Sequence, residues 1–157
     1  MKRILVLGGT GMLGAPVVRR LAADGFTVRV LARHPGEARE KLADVAERVE
    51  IVGGDALDLL DVRTAATGCD VVHVSVGGPD ERRATEQAAR AAAEVGAERI
   101  GYVSGTTVSE AHRWFPMIED KLAGEAAVTG AGVPWTIFRP SWPFEQLPRF
   151  ARGGRPF

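Results

Sequence analysis

An apolar run from Ile4 to Leu7 opens directly into Gly8-Gly9-Thr10-Gly11-Met12-Leu13-Gly14, and an amphipathic segment from Ala15 to Ala23 follows. A strand that feeds a glycine-rich turn and then a helix leaves free amides at the helix head, and those amides need acceptors. The diphosphate bridge of a dinucleotide is an anion that suits such a turn. The glycines play separate parts. Gly8 lets the chain turn sharply off the strand, Gly11 removes the Cβ that would hold a phosphate away, and Gly14 lets the helix lie close on the sheet. The spacing is Gly-x-x-Gly-x-x-Gly, so the alternative of a tight turn without a ligand rests on the same residues. The second strand, Thr27 to Leu31, follows at the distance a nucleotide-binding unit requires. Thr10, Met12 and Leu13 complete the expected loop.

Arg33 bears on which dinucleotide fits. A carboxylate about 20 residues past the glycines holds a ribose 2′-hydroxyl, whereas an arginine suits a 2′-phosphate. The chain reads Val30-Leu31-Ala32-Arg33-His34, with no carboxylate before Glu37. A guanidinium presents a planar fork to phosphate oxygens. NADP(H) is therefore expected ahead of NAD(H), although a solvated arginine at a strand end is the plainer alternative.

Hydrophobic residues make up 45% and charged residues 25% of the 157 positions, a composition typical of a soluble globular domain. Twenty basic and twenty acidic side chains cancel, which gives no case for a nucleic-acid partner or an anionic membrane surface. No apolar stretch is long enough to span a membrane. Cys69 is the single cysteine, so no internal disulfide and no cysteine metal cluster can form, and a reducing cytoplasm is the expected setting.

Strand-like and helix-like segments alternate to the end of the chain, which predicts an α/β fold: a Rossmann-type doubly wound parallel sheet with helices on both faces. The predicted strands are 3–7, 27–31, 49–52, 71–76, 100–103 and 135–138, and the predicted helices 12–23, 37–47, 57–67, 80–95 and 116–130. Right-handed crossovers give the order 3-2-1-4-5-6, with ligands above the strand ends between the first and fourth strands. Val76 ends the fourth predicted strand at that crevice, and Gly77 begins the loop after it.

The chain from residue 1 to about 145 resembles the atypical short-chain dehydrogenase/reductases, in the branch with NmrA-like NAD(P)H-binding reductases. The residues that carry the likeness are Gly8 to Gly14, Gly54-Asp55, Ser104-Gly105, Lys121 and Phe138-Arg139-Pro140. The resemblance implies that Asp55 and Ala56 bracket the adenine, although Asp55 also suits an N-cap of the next helix. It also implies that Lys121 binds the nicotinamide ribose; pairing with Glu125, or with Glu119-Asp120, is the alternative. Ser104 is a candidate to orient a carbonyl or the nicotinamide carboxamide, or is only a strand-end hydroxyl. Pro140 belongs to the loop after the sixth strand.

One departure from the family pattern matters for chemistry. Family members that reduce carbonyls in the usual way carry a tyrosine four residues before the lysine, and here that position is Met117. The sole tyrosine, Tyr102, sits inside the fifth predicted strand. His112 is then the nearby candidate acid with a suitable ordinary pKa. It lies in a segment with Trp114 and Phe115 that either lines an apolar substrate pocket or packs on the domain.

Residues 1–140 are expected to form the nucleotide-binding domain, and 141–157 a tail leading toward a substrate lobe that the sequence lacks. The sequence is then either a piece of a longer protein or a shortened form. Trp142, Phe144, Leu147, Phe150 and Phe157 are expected to pack on a partner subunit or on missing residues, or to be poorly ordered. The motifs together point to an NADP(H)-dependent reductase of a small carbonyl, quinone or dye-like electrophile, with a non-catalytic NADP(H)-binding redox sensor as the alternative. No metal-ligand spacing occurs.

Overall fold

The structure, a computed structural model, describes residues 2–141. Six strands, β1 (Arg3–Leu7), β2 (Thr27–Ala32), β3 (Val49–Gly53), β4 (Val71–Val74), β5 (Arg99–Val103) and β6 (Trp135–Phe138), form one sheet. Its order is β3-β2-β1-β4-β5-β6, and every pairing is parallel. The helices between them are α1 (Gly14–Ala23), α2 (Pro35–Lys41), α3 (Leu59–Ala66), α4 (Glu81–Glu94) and α5 (Pro116–Thr129).

The strands are apolar on both sides because helices cover both faces. Ile4 and Val6 pack with Val18, Val28, Val30 and Leu42 on the side of α1 and α2. Leu5 and Leu7 point the other way, into a larger core with Val62, Ala88, Ala92, Tyr102 and Val128. Buried alanines at 84, 88, 91 and 92 let α4 lie close to the sheet and to its neighbours α3 and α5. Leu7 pairs with Leu31 on one side and Val74 on the other, so the loops leaving β1, β2 and β4 start at one level. That level is the floor of the candidate site.

Four features depart from the expectations above. The first helix begins at Gly14 and not at Met12, because the glycine loop occupies another turn before the helix starts. The predicted helix 37–47 is a short α2 from Pro35 to Lys41 followed by a 3₁₀ segment, Ala43–Arg48, with Val45 at φ −127°. Strand β4 ends at Val74, two residues early, where the Ser75 amide donates to the Leu7 carbonyl and the chain leaves the sheet. Asp58 and not Asp55 caps α3, its carboxylate accepting the amides of Leu60 and Asp61. Asp55 instead accepts the amide of Leu57 at 2.9 Å. The apolar tail residues from Trp142 onward lie outside the described residues.

Candidate functional site

The glycine loop is shaped by how closely its backbone crosses its neighbours. Gly8 has φ 78°, and a Cβ there would lie 2.6 Å from the Ser75 carbonyl oxygen. At Gly14 a Cβ would lie 2.1 Å from the Gly8 carbonyl oxygen, so the head of α1 is seated directly on the turn. Gly11 differs from both. Its amide donates to the Gly8 carbonyl at 3.0 Å, and a Cβ on it would meet only that oxygen, at 3.2 Å. The Gly11 amide therefore closes the turn, and the position keeps an open side toward the loop where a larger side chain would project. The amides of Met12 and Leu13, ahead of the first helical turn, make no hydrogen bond among the described residues. They are the donors left for an anion.

Beside this loop runs a cleft of about 240 Å³. Gly8, Thr10, Arg33, Asp55, Ala56 and Val76 all line it, so six residues singled out in the sequence come together there. Leu31, Gly54 and Leu57 supply apolar and backbone walls, and Lys41 and Asp80 add charge. The Arg33 side chain is 63% exposed, and its Nη1 lies 3.8 Å from Asp80 Oδ2. Asp55 is fixed at the wall through its own amide, which donates to Asp61 Oδ2 at 2.9 Å. These features fit an adenosine diphosphate: free amides for the bridge, a lined slot beside them, and an unburied guanidinium within reach.

The residues at the far end of the sheet are held by carboxylates. Lys121 Nζ donates to Glu81 Oε1 at 2.6 Å, and Tyr102 Oη donates to the same oxygen at 2.7 Å. This is neither of the pairings expected from helical spacing, because Glu125 is turned to other partners. Ser104 Oγ donates to Glu125 Oε1 at 2.5 Å, and Arg139 closes on both oxygens of the Glu125 carboxylate. Burial, and then the neighbouring Glu81 charge, push the Tyr102 phenol far above its ordinary range. Such a phenol gives up its proton poorly. Gly124 lets it fit, since a Cβ there would be 2.9 Å from Tyr102 Oη.

His112 is exposed in the 3₁₀ turn Glu110–His112. Its Nδ1 lies 3.0 Å from both the Thr107 carbonyl oxygen and the Ser109 hydroxyl. Trp114 and Phe115 stack edge-to-face with ring centroids 5.9 Å apart, and Trp114 stays exposed. Leu13 and Pro140 line a different surface, an apolar groove of about 650 Å³ over β4, β5 and β6 on the α1 side. Gly77 leads from Val76 into the 3₁₀ turn Gly78–Asp80.

Two residues of consequence do not stand out in the sequence. Asp80 reads there as the first residue of a helix, yet it closes the turn after β4 and faces Arg33. Its only signal is its place after Gly77-Gly78-Pro79 at the ligand edge. His73 lies within β4, where its Nε2 meets Ser75 Oγ at 2.8 Å and its ring meets Phe138 edge-on. Burial pushes its pKa down from 6.5 to about 4.

Residues 8–150 match a protein family described as NAD(P)H-binding. Cinnamoyl-CoA reductase 1 of Oryza sativa subsp. japonica is 29% identical over 119 residues, covering 64% of this chain and 33% of the rice protein. The chain thus spans about a third of that relative's length. Among solved structures, Citrobacter sp. triphenylmethane reductase complexed with NADP(H) superposes with a TM-score of 0.76 at 23% identity, over 96% of this chain and 55% of the other. An NADPH-dependent quinone oxidoreductase from Escherichia coli, complexed with NADPH, gives 0.76 at 19% identity, over 96% and 53%. At those identities the likeness is one of fold.

Proposed function

The chain belongs to the NAD(P)H-binding family, and on that footing we propose that it is an NADP(H)-dependent reductase of the atypical short-chain dehydrogenase type, acting on a small carbonyl, quinone or dye-like electrophile. The observation that carries this reading is the convergence of Gly8, Thr10, Arg33, Asp55, Ala56 and Val76 on one cleft beside the free amides of Met12 and Leu13. Arg33 would take a 2′-phosphate, the loop amides the diphosphate, and Asp55 and Ala56 the adenine edge. Triphenylmethane reductase and the quinone oxidoreductase, whose folds the chain shares, support an electrophile of that kind.

A reduced dinucleotide held by Arg33 and the loop amides would supply a hydride; a carbonyl or quinone would take up one proton besides, whereas a cationic dye would take the hydride alone. Lys121, held by Glu81, would steady the nicotinamide ribose, and Ser104 would orient a substrate carbonyl or the nicotinamide carboxamide. His112, exposed and anchored through Nδ1 by Thr107 and Ser109, would take a proton from solvent at Nε2 and pass it on to the product. Anaerobic mixing of NADPH with a panel of quinones, aldehydes and triphenylmethane dyes, followed by loss of reduced-nicotinamide absorbance, tests the reading. Turnover with at least one class is expected, and no turnover with any of them rejects it.

The second reading is a non-catalytic sensor of the NADP⁺/NADPH ratio. It draws on Met117 in the place of the usual tyrosine and on Ser104 being committed to Glu125. A sensor must bind the two redox forms unequally, since only differential binding shifts a state. Equal affinities together with turnover favour the enzyme.

A further inference from the structure

Arg33 and Asp80 face each other across the mouth of the cleft, and their placement follows from the sheet order. Strands β2 and β4 flank β1, so the loops after them rise on either side of the glycine loop. Arg33 stands just past the end of β2, and Asp80 ends the 3₁₀ turn that follows β4. Both side chains line the cleft together with Gly8 and Thr10. Their 3.8 Å approach is long for an ion pair, and both partners are substantially exposed. Such a pair is weak and exchangeable.

We propose that Asp80 is a specificity-determining residue that works against Arg33, so that the cleft carries a reader for each form of the adenosine ribose. This rests on the cofactor reading given above. A 2′-phosphate that engages Arg33 must displace the Asp80 carboxylate and then remain near it, and like charges at that range repel. A free 2′-hydroxyl meets the opposite situation: it can donate to Asp80, which does the work that a carboxylate after β2 does elsewhere. Asp80 therefore narrows the preference for the phosphorylated dinucleotide and lets the unphosphorylated one in. Asp80 makes no side-chain cap to α4, so an amide in its place leaves the helix start as it is.

Calorimetric titration of the wild type and Asp80→Asn with NADP⁺ and with NAD⁺ tests this, because the two ligands differ only in the 2′-phosphate. The ratio of NADP⁺ to NAD⁺ affinity is expected to rise about fivefold in the variant at low salt, and the rise should shrink as salt screens the charge. A ratio that is unchanged or falls, with NAD⁺ binding intact, overturns the role of Asp80 and leaves the cofactor reading standing. If the wild type binds neither dinucleotide, the cofactor reading fails and this role fails with it.

Discussion

Lys121 and Glu81, 40 residues apart in the chain, meet at 2.6 Å and join α5 to the head of α4. Glu81 is 2% exposed, and its Oε1 also accepts the Tyr102 phenol, so one carboxylate ties two helices to β5. Taking one partner from a buried pair leaves the other charge uncompensated, which costs more than the pair itself contributes.

Lys121→Met should therefore destabilise the domain by about 3 kcal/mol. In a chain of this size that corresponds to a fall in melting temperature on the order of 10 °C. Thermal melts of the variant and the wild type measure it. A melting temperature within a degree or so of wild type would show that the Lys121–Glu81 contact carries no net stabilisation.

Two glycines of the loop should separate folding from binding. Gly14→Ala forces a Cβ into the Gly8 carbonyl, where only backbone can give way, so the melting temperature falls sharply. Gly11→Val meets one backbone oxygen at 3.2 Å and otherwise projects outward, so the fold survives while the space beside the Met12 and Leu13 amides is filled. Circular dichroism and NADP⁺ titration of both proteins distinguish the cases. A stable Gly11→Val protein that binds as wild type would place the phosphates elsewhere.

How much of this was legible in the sequence depended on the range of the interaction. β1 and β6 have the predicted bounds because Gly8 stops the apolar run of β1, while Pro134 precedes β6 and Pro140 follows two residues past its end, which is local information. Gly25, Gly68 and Gly96 take positive φ just past their helices, the left-handed position that glycine favours. The partner of Lys121 was not legible, since helical spacing offers Glu125 whereas tertiary contact supplies Glu81. Asp55 and Asp58 look alike as caps in sequence; only the path of the backbone after Gly54 decides that Asp58 takes the role. Asp80 escaped notice for the same reason, because its relation to Arg33 exists only once β2 and β4 flank β1.

His73 should make stability fall with acid in a defined window. Burial holds the ring neutral in the folded chain, with its pKa lowered from 6.5 to about 4. Between those values the unfolded chain binds more protons than the folded one, so the contribution is whole above 6.5 and is lost as pH falls toward 4. Between about pH 7 and about pH 5 the loss amounts to about 2 kcal/mol. Urea midpoints at the two pH values should show His73→Phe losing about that much less than wild type. Parallel losses in the two proteins would mean that His73 is not held neutral.

On the proposed function, amides at the head of α1 would grip a diphosphate while Arg33 would select the phosphorylated ribose. Titration of wild type and Arg33→Asp with NADP⁺ and NAD⁺ tests it most directly. The wild type should bind NADP⁺ at least about tenfold more tightly than NAD⁺, and Arg33→Asp should lose that preference while still binding NAD⁺. No uptake of either dinucleotide by the wild type at millimolar levels, or the same preference in both proteins, would contradict it.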